Sequence, residues 1–213
     1  MSERGKFIVN EGVGGAGKTT QVELAAAYLR SKKYDVKTTR EPGGDIAAEE
    51  LRQLIFDLRE QNAITPEQQV ALFFATRRLW VRNVIAPQVE KGVTVLSDRT
   101  FPSTAAYQGY AEGADMQMIE NLTRIVMDGY LPDAIILIDV SAKTAKRRNS
   151  PKNERDPYDD QELAYFEKVV KGYRKMAASN WLGIPWHVVN GEQSIEAVAQ
   201  EIRKRLDLIT NGT

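Results

Sequence analysis

The sequence contains no cysteine. A disulfide framework and any thiolate metal site are therefore excluded, and a reducing compartment, the cytoplasm, is the expected location. Net charge is also missing: 29 Lys+Arg stand against 29 Asp+Glu, with a single histidine. Chains that grip nucleic acid usually carry a basic excess, so the balance points away from nucleic acid and toward a small, locally neutralised ligand. No apolar run approaches the ~20 residues that span a bilayer. The opening Met1-Ser2-Glu3-Arg4-Gly5-Lys6 leads into only a few apolar residues before glycines begin, which is not the pattern of a signal peptide or membrane anchor. Internal repeats and low-complexity tracts are absent too. At 213 residues the expectation is one domain spanning 1–213, with a core of ordinary size and at most a small mobile insert.

What is present starts with Glu11-Gly12-Val13-Gly14-Gly15-Ala16-Gly17-Lys18-Thr19-Thr20. A short apolar run, Phe7-Ile8-Val9, precedes it, and Val22, Leu24, Ala25 and Leu29 follow at roughly helical spacing. Strand, glycine loop and helix are the context in which GxxxxGK[ST] is a phosphate-binding loop. Glycines let main-chain N–H groups turn inward and approach phosphates, and the following helix adds its unpaired N–H groups and positive dipole end. Gly12, Gly14, Gly15, Ala16, Gly17, Lys18, Thr19 and Thr20 are thus the expected ATP-binding stretch. Lys18 neutralises the β- and γ-phosphates and the Thr19 hydroxyl is a ligand for Mg²⁺. The bland alternative is a glycine-rich turn between a strand and a helix.

Further short apolar runs at Asp35–Thr39, Val93–Leu96, Ala134–Ile138 and Trp186–Val189 read as buried strands separated by longer helical segments. Alternation of this kind predicts an α/β fold with a parallel sheet covered by helices on both faces. Ligands of such sheets sit at the carboxyl ends of the strands. After the second run comes Thr39-Arg40-Glu41-Pro42-Gly43-Gly44. Arg40 offers a planar fork to a phosphate, or else a surface ion pair with Glu41. After the third comes Asp98-Arg99, an acid placed to hold Mg²⁺ and its waters beside a guanidinium for phosphoryl oxygens, or a plain structural ion pair. Ser103, Tyr107 and Gln108 lie just beyond.

Thr65-Pro66-Glu67-Gln68 has the composition of a helix start. Phe73 and Arg77 share a face of that helix, so ring and fork could stack on and bond a nucleobase, or simply belong to the core. The stretch from Lys143 through Arg148, Lys152 and Arg155 to Pro157 is basic and broken by prolines. It reads as a mobile lid, about 148–158, able to bring cations over a triphosphate; a solvated linker and a basic targeting patch are the alternatives. Helices are predicted over 46–58, 159–178 and 194–208, and His187 reads as structural.

These residues together resemble the thymidylate kinase family of nucleoside monophosphate kinases, in order and along essentially the whole chain. The strings Arg40-Glu41-Pro42-Gly43-Gly44 and Ala106-Tyr107-Gln108-Gly109 carry the likeness more specifically than the glycine loop does. The resemblance implies a three-layer P-loop NTPase sandwich on a five-stranded parallel sheet with a short lid. It implies phosphoryl transfer from ATP to thymidylate (dTMP), with Mg²⁺ as cofactor and the two nucleotides as partners. It further implies that Phe73 stacks on thymine, Arg77 bonds its O4, and Gln108 stands near its other polar edge. Arg40 and Arg99 would hold the acceptor phosphate and the group in flight. Ser103 would lie in the acceptor site, Tyr107 and Tyr158 against the nucleotide, Asp98 with Thr19 on Mg²⁺, and Gly191 and Glu192 near adenine. The catalytic set so implied is Lys18, Asp98, Arg99 and, from the lid, Arg148, Lys152 or Arg155. A homodimer through helices such as 66–86 and 115–128 is expected by the same likeness.

Two departures qualify it. The family usually has Asp or Glu where this chain has Gly14, a carboxylate that meets the acceptor's 3′-hydroxyl, and the usual lid Asp-Arg reads Asp156-Pro157 with Arg155 one step earlier. Deoxyuridylate or a modified deoxypyrimidine monophosphate is the alternative acceptor. Rivals of another class are a P-loop ATPase switch and a non-catalytic nucleotide-binding module.

Overall fold

A computed structural model describes residues 4–149, 158 and 161–211. Five strands form one parallel sheet in the order β2-β3-β1-β4-β5: β1 Phe7–Glu11, β2 Val36–Arg40, β3 Thr94–Asp98, β4 Ala134–Asp139 and β5 Trp186–Asn190. The inner strands are almost wholly withdrawn from solvent, as the continuous runs Phe7-Ile8-Val9 and Ile135-Ile136-Leu137-Ile138 require. The expectation of buried strands fails for β2 and β5. Each lies at a sheet edge with one lateral neighbour, and residues such as Lys37 and His187 accordingly stay partly in solvent.

Helices cover both faces. In chain order they are α1 Lys18–Ser31, α2 Ile46–Glu60, α3 Pro66–Trp80, α4 Ala86–Glu90, α5 Phe101–Thr104, α6 Met116–Met127, α7 Ala142–Arg148, α8 Leu163–Ala178 and α9 Ile195–Asn211. Thr65 opens α3 as predicted: its hydroxyl accepts from the Gln68 N–H, and the Gln68 side chain accepts from the Thr65 N–H. A widened π turn, Val81–Ile85, joins α3 to α4. Pro87 lacks an N–H for the carbonyl four residues back and its ring crowds that carbonyl, so the chain widens there rather than breaking. A second π segment, Ala105–Ala111, continues α5 and carries Tyr107 and Gln108.

Strand register brings the chemistry together. Arg40 and Asn10 are both level with Asp98 at the strands' carboxyl ends. Central β1 feeds the glycine loop, so the residues that end β3 and β4 flank the loop, with the end of β2 one strand further out. No described helix is long and apolar enough to cross a membrane.

Candidate active site

The loop between β1 and α1 is shaped by close approaches that only glycine permits. Gly12 has φ +147, and a Cβ there would stand 2.7 Å from the Ile138 carbonyl oxygen. Gly15 has φ +78, and a Cβ would stand 2.4 Å from the carbonyl oxygen of Ala145 in α7. Gly17, at the N-cap of α1, leaves the first-turn amides of that helix without a side-chain cap. Buried Lys18 donates from Nζ to the Val13 carbonyl at 3.1 Å, which holds the ammonium over the loop. Thr20 is exposed in the first turn.

Thr19 and Asp98 meet here, across the gap between α1 and β3. The Thr19 hydroxyl donates to Asp98 Oδ2 at 2.6 Å, while Asp98 Oδ1 is buried without a hydrogen-bond partner among the described residues. An orphaned carboxylate oxygen beside a hydroxyl is the oxygen donor set that a hard cation takes. Among the described residues no three His, Cys, Asp or Glu side chains cluster into a full cage. That suits Mg²⁺, which keeps water and phosphate oxygens as its remaining ligands. A cavity of about 490 Å³ opens beside them, lined by Thr19, Asp98, Arg99 and Arg40 among others.

Arg40 pairs with Glu49 of α2 at 2.9 Å rather than with Glu41. Burial raises the Glu49 carboxyl, but the Arg40 fork and the Gly44 amide outweigh it and leave it below its ordinary range. Glu41 turns the other way, into the protein. Arg77 donates from Nε to Glu41 Oε2 at 3.0 Å and from Nη2 to the Thr104 hydroxyl at 2.9 Å. Its third nitrogen, Nη1, is buried without a hydrogen-bond partner among the described residues.

Arg77 also lines a ring-walled slot of about 60 Å³, together with Phe56, Phe73, Tyr107, Gln108, Tyr158, Arg99 and Ser103. Phe73 and Tyr158 face one another at 6.4 Å between centroids, and Tyr107 meets Tyr158 edge-on at 5.6 Å. The slot and the larger cavity share Glu41, Pro42, Phe56 and Arg99, so a path runs from the Phe73–Arg77 wall to the Thr19–Asp98 pair.

Arg99 is the joint between them. Its backbone sits at φ +75, a strained conformation for a residue with a side chain. Two bonds hold it there: its N–H donates to the Asn10 carbonyl and its carbonyl accepts from the Ser97 hydroxyl. The guanidinium reaches the Ser103 hydroxyl at 3.0 Å and the Gly12 carbonyl at 3.3 Å. Beneath lies Glu11, fully buried, accepting from the Thr100 N–H, the Ser103 hydroxyl and the hydroxyl of Tyr173 in α8. Burial pushes the Glu11 carboxyl above its ordinary range, and Arg99 and these donors only partly pull it back. Burial works against the charge on Arg99 as well, but Tyr107, Tyr173, Asp98 and Glu11 outweigh it and hold that guanidinium charged.

At Gly14, where no carboxylate is available, the backbone N–H donates to the Tyr107 hydroxyl at 2.9 Å. Arg148 donates to the Gly191 carbonyl at 2.9 Å, and Glu192 accepts from the Ser141 N–H at 2.7 Å, which ties the loop after β5 to both ends of α7. Lys152 and Arg155 lie outside the described residues, as does most of the predicted lid. His187 stands on edge strand β5, away from both cavities. Glu11, Glu41, Thr104 and Tyr173 join the site without having been among the residues expected there. Only Glu11 and Glu41 carried a local signal, by adjoining the glycine loop and Arg40.

Sheet order, glycine loop and the nucleotide-sized path beside it define a P-loop phosphotransferase. The sequence profile of the thymidylate kinase family matches residues 10–202. A thymidylate kinase of Carboxydothermus hydrogenoformans is 35% identical over 204 residues, covering 96% of this chain and 98% of its own. One from Cupriavidus pinatubonensis is 38% identical over 203 residues, covering 94% and 97%. The crystal structure of thymidylate kinase from Ehrlichia chaffeensis superposes with a TM-score of 0.77 at 31% identity, over 95% of this chain and 99% of that one. The chain belongs to the thymidylate kinase family.

Proposed function

We propose that the protein transfers the γ-phosphoryl group of ATP to dTMP, giving dTDP and ADP. The observation that carries this reading is the continuous path from the Phe73–Arg77 slot through Arg99 to Thr19 and Asp98. A phosphate oxygen of the acceptor attacks the γ-phosphorus as the bond to the bridging oxygen of ADP breaks. Such a reaction asks the protein chiefly for alignment and positive charge. The loop amides and Lys18 hold the donor phosphates. Arg99, anchored between Gly12 and Ser103, meets the transferring oxygens. Arg40 takes the acceptor phosphate, exchanging part of its bond with Glu49 for it. Thr19 and Asp98 would hold Mg²⁺, which would supply positive charge to the donor phosphates.

At the acceptor end Phe73 stacks on thymine, and Arg77 Nη1, without a hydrogen-bond partner among the described residues, donates to O4. Gln108 meets the adjoining edge, and Tyr107 packs by the sugar. Gly191 and Glu192 border adenine, and the catalytic lid cation is one of Arg148, Lys152 and Arg155, the last two lying outside the described residues. The thymine methyl, worth about 0.8 kcal/mol when buried, separates dTMP from deoxyuridylate only several-fold. Deoxyuridylate is therefore a slower acceptor of the same site. A P-loop switch is disfavoured, because it has no use for a base slot continuous with its phosphate site. The same reading carries a single catalytic domain, a cytoplasmic location and a homodimer. Ile125 of α6, 70% exposed, is consistent with a subunit contact on that face.

The test is ADP release coupled to a panel of nucleoside monophosphates with ATP and Mg²⁺. Turnover with dTMP above all others is expected. Failure of every deoxypyrimidine to accept phosphate would overturn the assignment.

A further inference from the structure

Behind the slot, the side-chain oxygen of Gln69 collects three donors. Arg59 Nη1 reaches it at 2.9 Å, the Tyr158 hydroxyl at 2.8 Å and Gln108 Nε2 at 3.3 Å. Gln108 Nε2 also donates to the Tyr158 oxygen at 3.0 Å. Gln69 and Gln108 are 4% and 2% exposed, so water does not compete for these bonds.

An amide side chain offers an oxygen or an NH₂ group according to its rotation, and its neighbours decide which. Here the decision starts outside the slot. A guanidinium can only donate, so Arg59 obliges Gln69 to present its oxygen. Arg59 itself is fixed by Glu112 at 2.7 Å. An oxygen at that point obliges Gln108 to present its NH₂ group to Gln69. The oxygen of Gln108 is then the atom left for a ligand in the slot, which Arg77, with one nitrogen unpartnered among the described residues, also lines. A donor beside an acceptor complements a base edge that carries a carbonyl beside an N–H. A cytosine edge, amino beside a bare ring nitrogen, mismatches at both atoms.

We infer that Arg59 and Gln69 are positioning residues for acceptor selection: they fix the rotation of the Gln108 amide and through it the requirement for an N–H on the base. Neither touches the acceptor. This rests on the reading of the slot as the acceptor-base site.

The experiment is steady-state kinetics with ATP and either dTMP or deoxycytidine 5′-monophosphate, on the native chain and on Gln69→Leu, Gln69→Glu and Arg59→Met. Leucine frees Gln108 to rotate. KM for dTMP should rise with kcat little changed, and the dTMP-to-dCMP ratio of kcat/KM should fall about tenfold or more. Glutamate is an acceptor like the Gln69 oxygen, so it should keep that ratio within about threefold of native, a rescue that a merely structural role would not give. Should Gln69→Leu fail to fold by circular dichroism, Arg59→Met is read instead and must lower the ratio in the same direction. An unchanged ratio in a folded variant, with the native chain active on dTMP, overturns this inference and leaves the kinase reading standing. A native chain inactive on dTMP overturns both.

Discussion

Arg77 Nη2 stands 2.8 Å from Glu41 Oε1, with 1% and 2% of the two side chains exposed. The pair ties α3 to the turn after β2, and it fixes the guanidinium of a residue that lines the slot. Buried pairs of this kind are costly to break from one side, since the survivor keeps its charge without compensation. Arg77→Met should therefore lose about 3–5 kcal/mol of stability, read from urea unfolding. Adding Glu41→Gln should recover much of that loss without restoring turnover with dTMP. Recovery of activity along with stability would show that Arg77 serves only packing.

Lys18 is bonded to the Val13 carbonyl of the glycine loop. Lys18→Ala should lower kcat by about 10²–10³-fold, the scale of losing a charge aimed at developing phosphoryl charge. Circular dichroism should be unchanged. A variant that keeps native turnover would point to a scaffold rather than an enzyme.

Thr19 and Asp98 are joined by a 2.6 Å hydrogen bond, and the other Asp98 oxygen has no hydrogen-bond partner among the described residues. Asp98→Asn replaces an anionic ligand by a neutral one. The Mg²⁺ concentration for half-maximal rate should rise, with a smaller rise for Thr19→Ala. Titrating the metal at saturating ATP and dTMP reads this directly.

Glu11 gives a pH signature. Its folded carboxyl lies above its ordinary range, chiefly because burial disfavours the charge. A group raised on folding favours the folded state fully below its unfolded pKa, and that contribution is lost as pH rises through the folded value. Glu11→Gln removes this dependence. Its stability deficit against the native chain should be largest in acid and shrink toward neutrality. Unfolding midpoints of both proteins across that range provide the measurement; a deficit that grows toward neutrality would contradict the assignment.

The donor end was legible in the sequence because its parts are contiguous. Gly12 through Thr20 carry the loop, and the end of an apolar strand marks Asp98. The strand cores were legible for the same reason, since Ile135 through Ile138 can only be buried. Partnerships across the chain were not legible. Arg40 beside Glu41 suggests a local pair, yet tertiary packing sends Glu41 to Arg77 and Arg40 to Glu49. Gln69 looks like an ordinary polar residue in the first turns of a capped helix. Its role appears only once Gln108, Arg59 and Tyr158 converge on one oxygen. The edge strands were misjudged because hydrophobicity along a strand does not reveal whether it has one lateral neighbour or two.

Gln69, Phe73 and Arg77 occupy successive turns of α3, all turned inward. Successive turns rise by about 5.4 Å, and the wall they make is a column of fixed pitch rather than a set of independent loops. Evolution toward a different base thus has little freedom to slide one contact relative to the next. It must exchange side chains rung by rung, or shift the entire rod and disturb every rung at once.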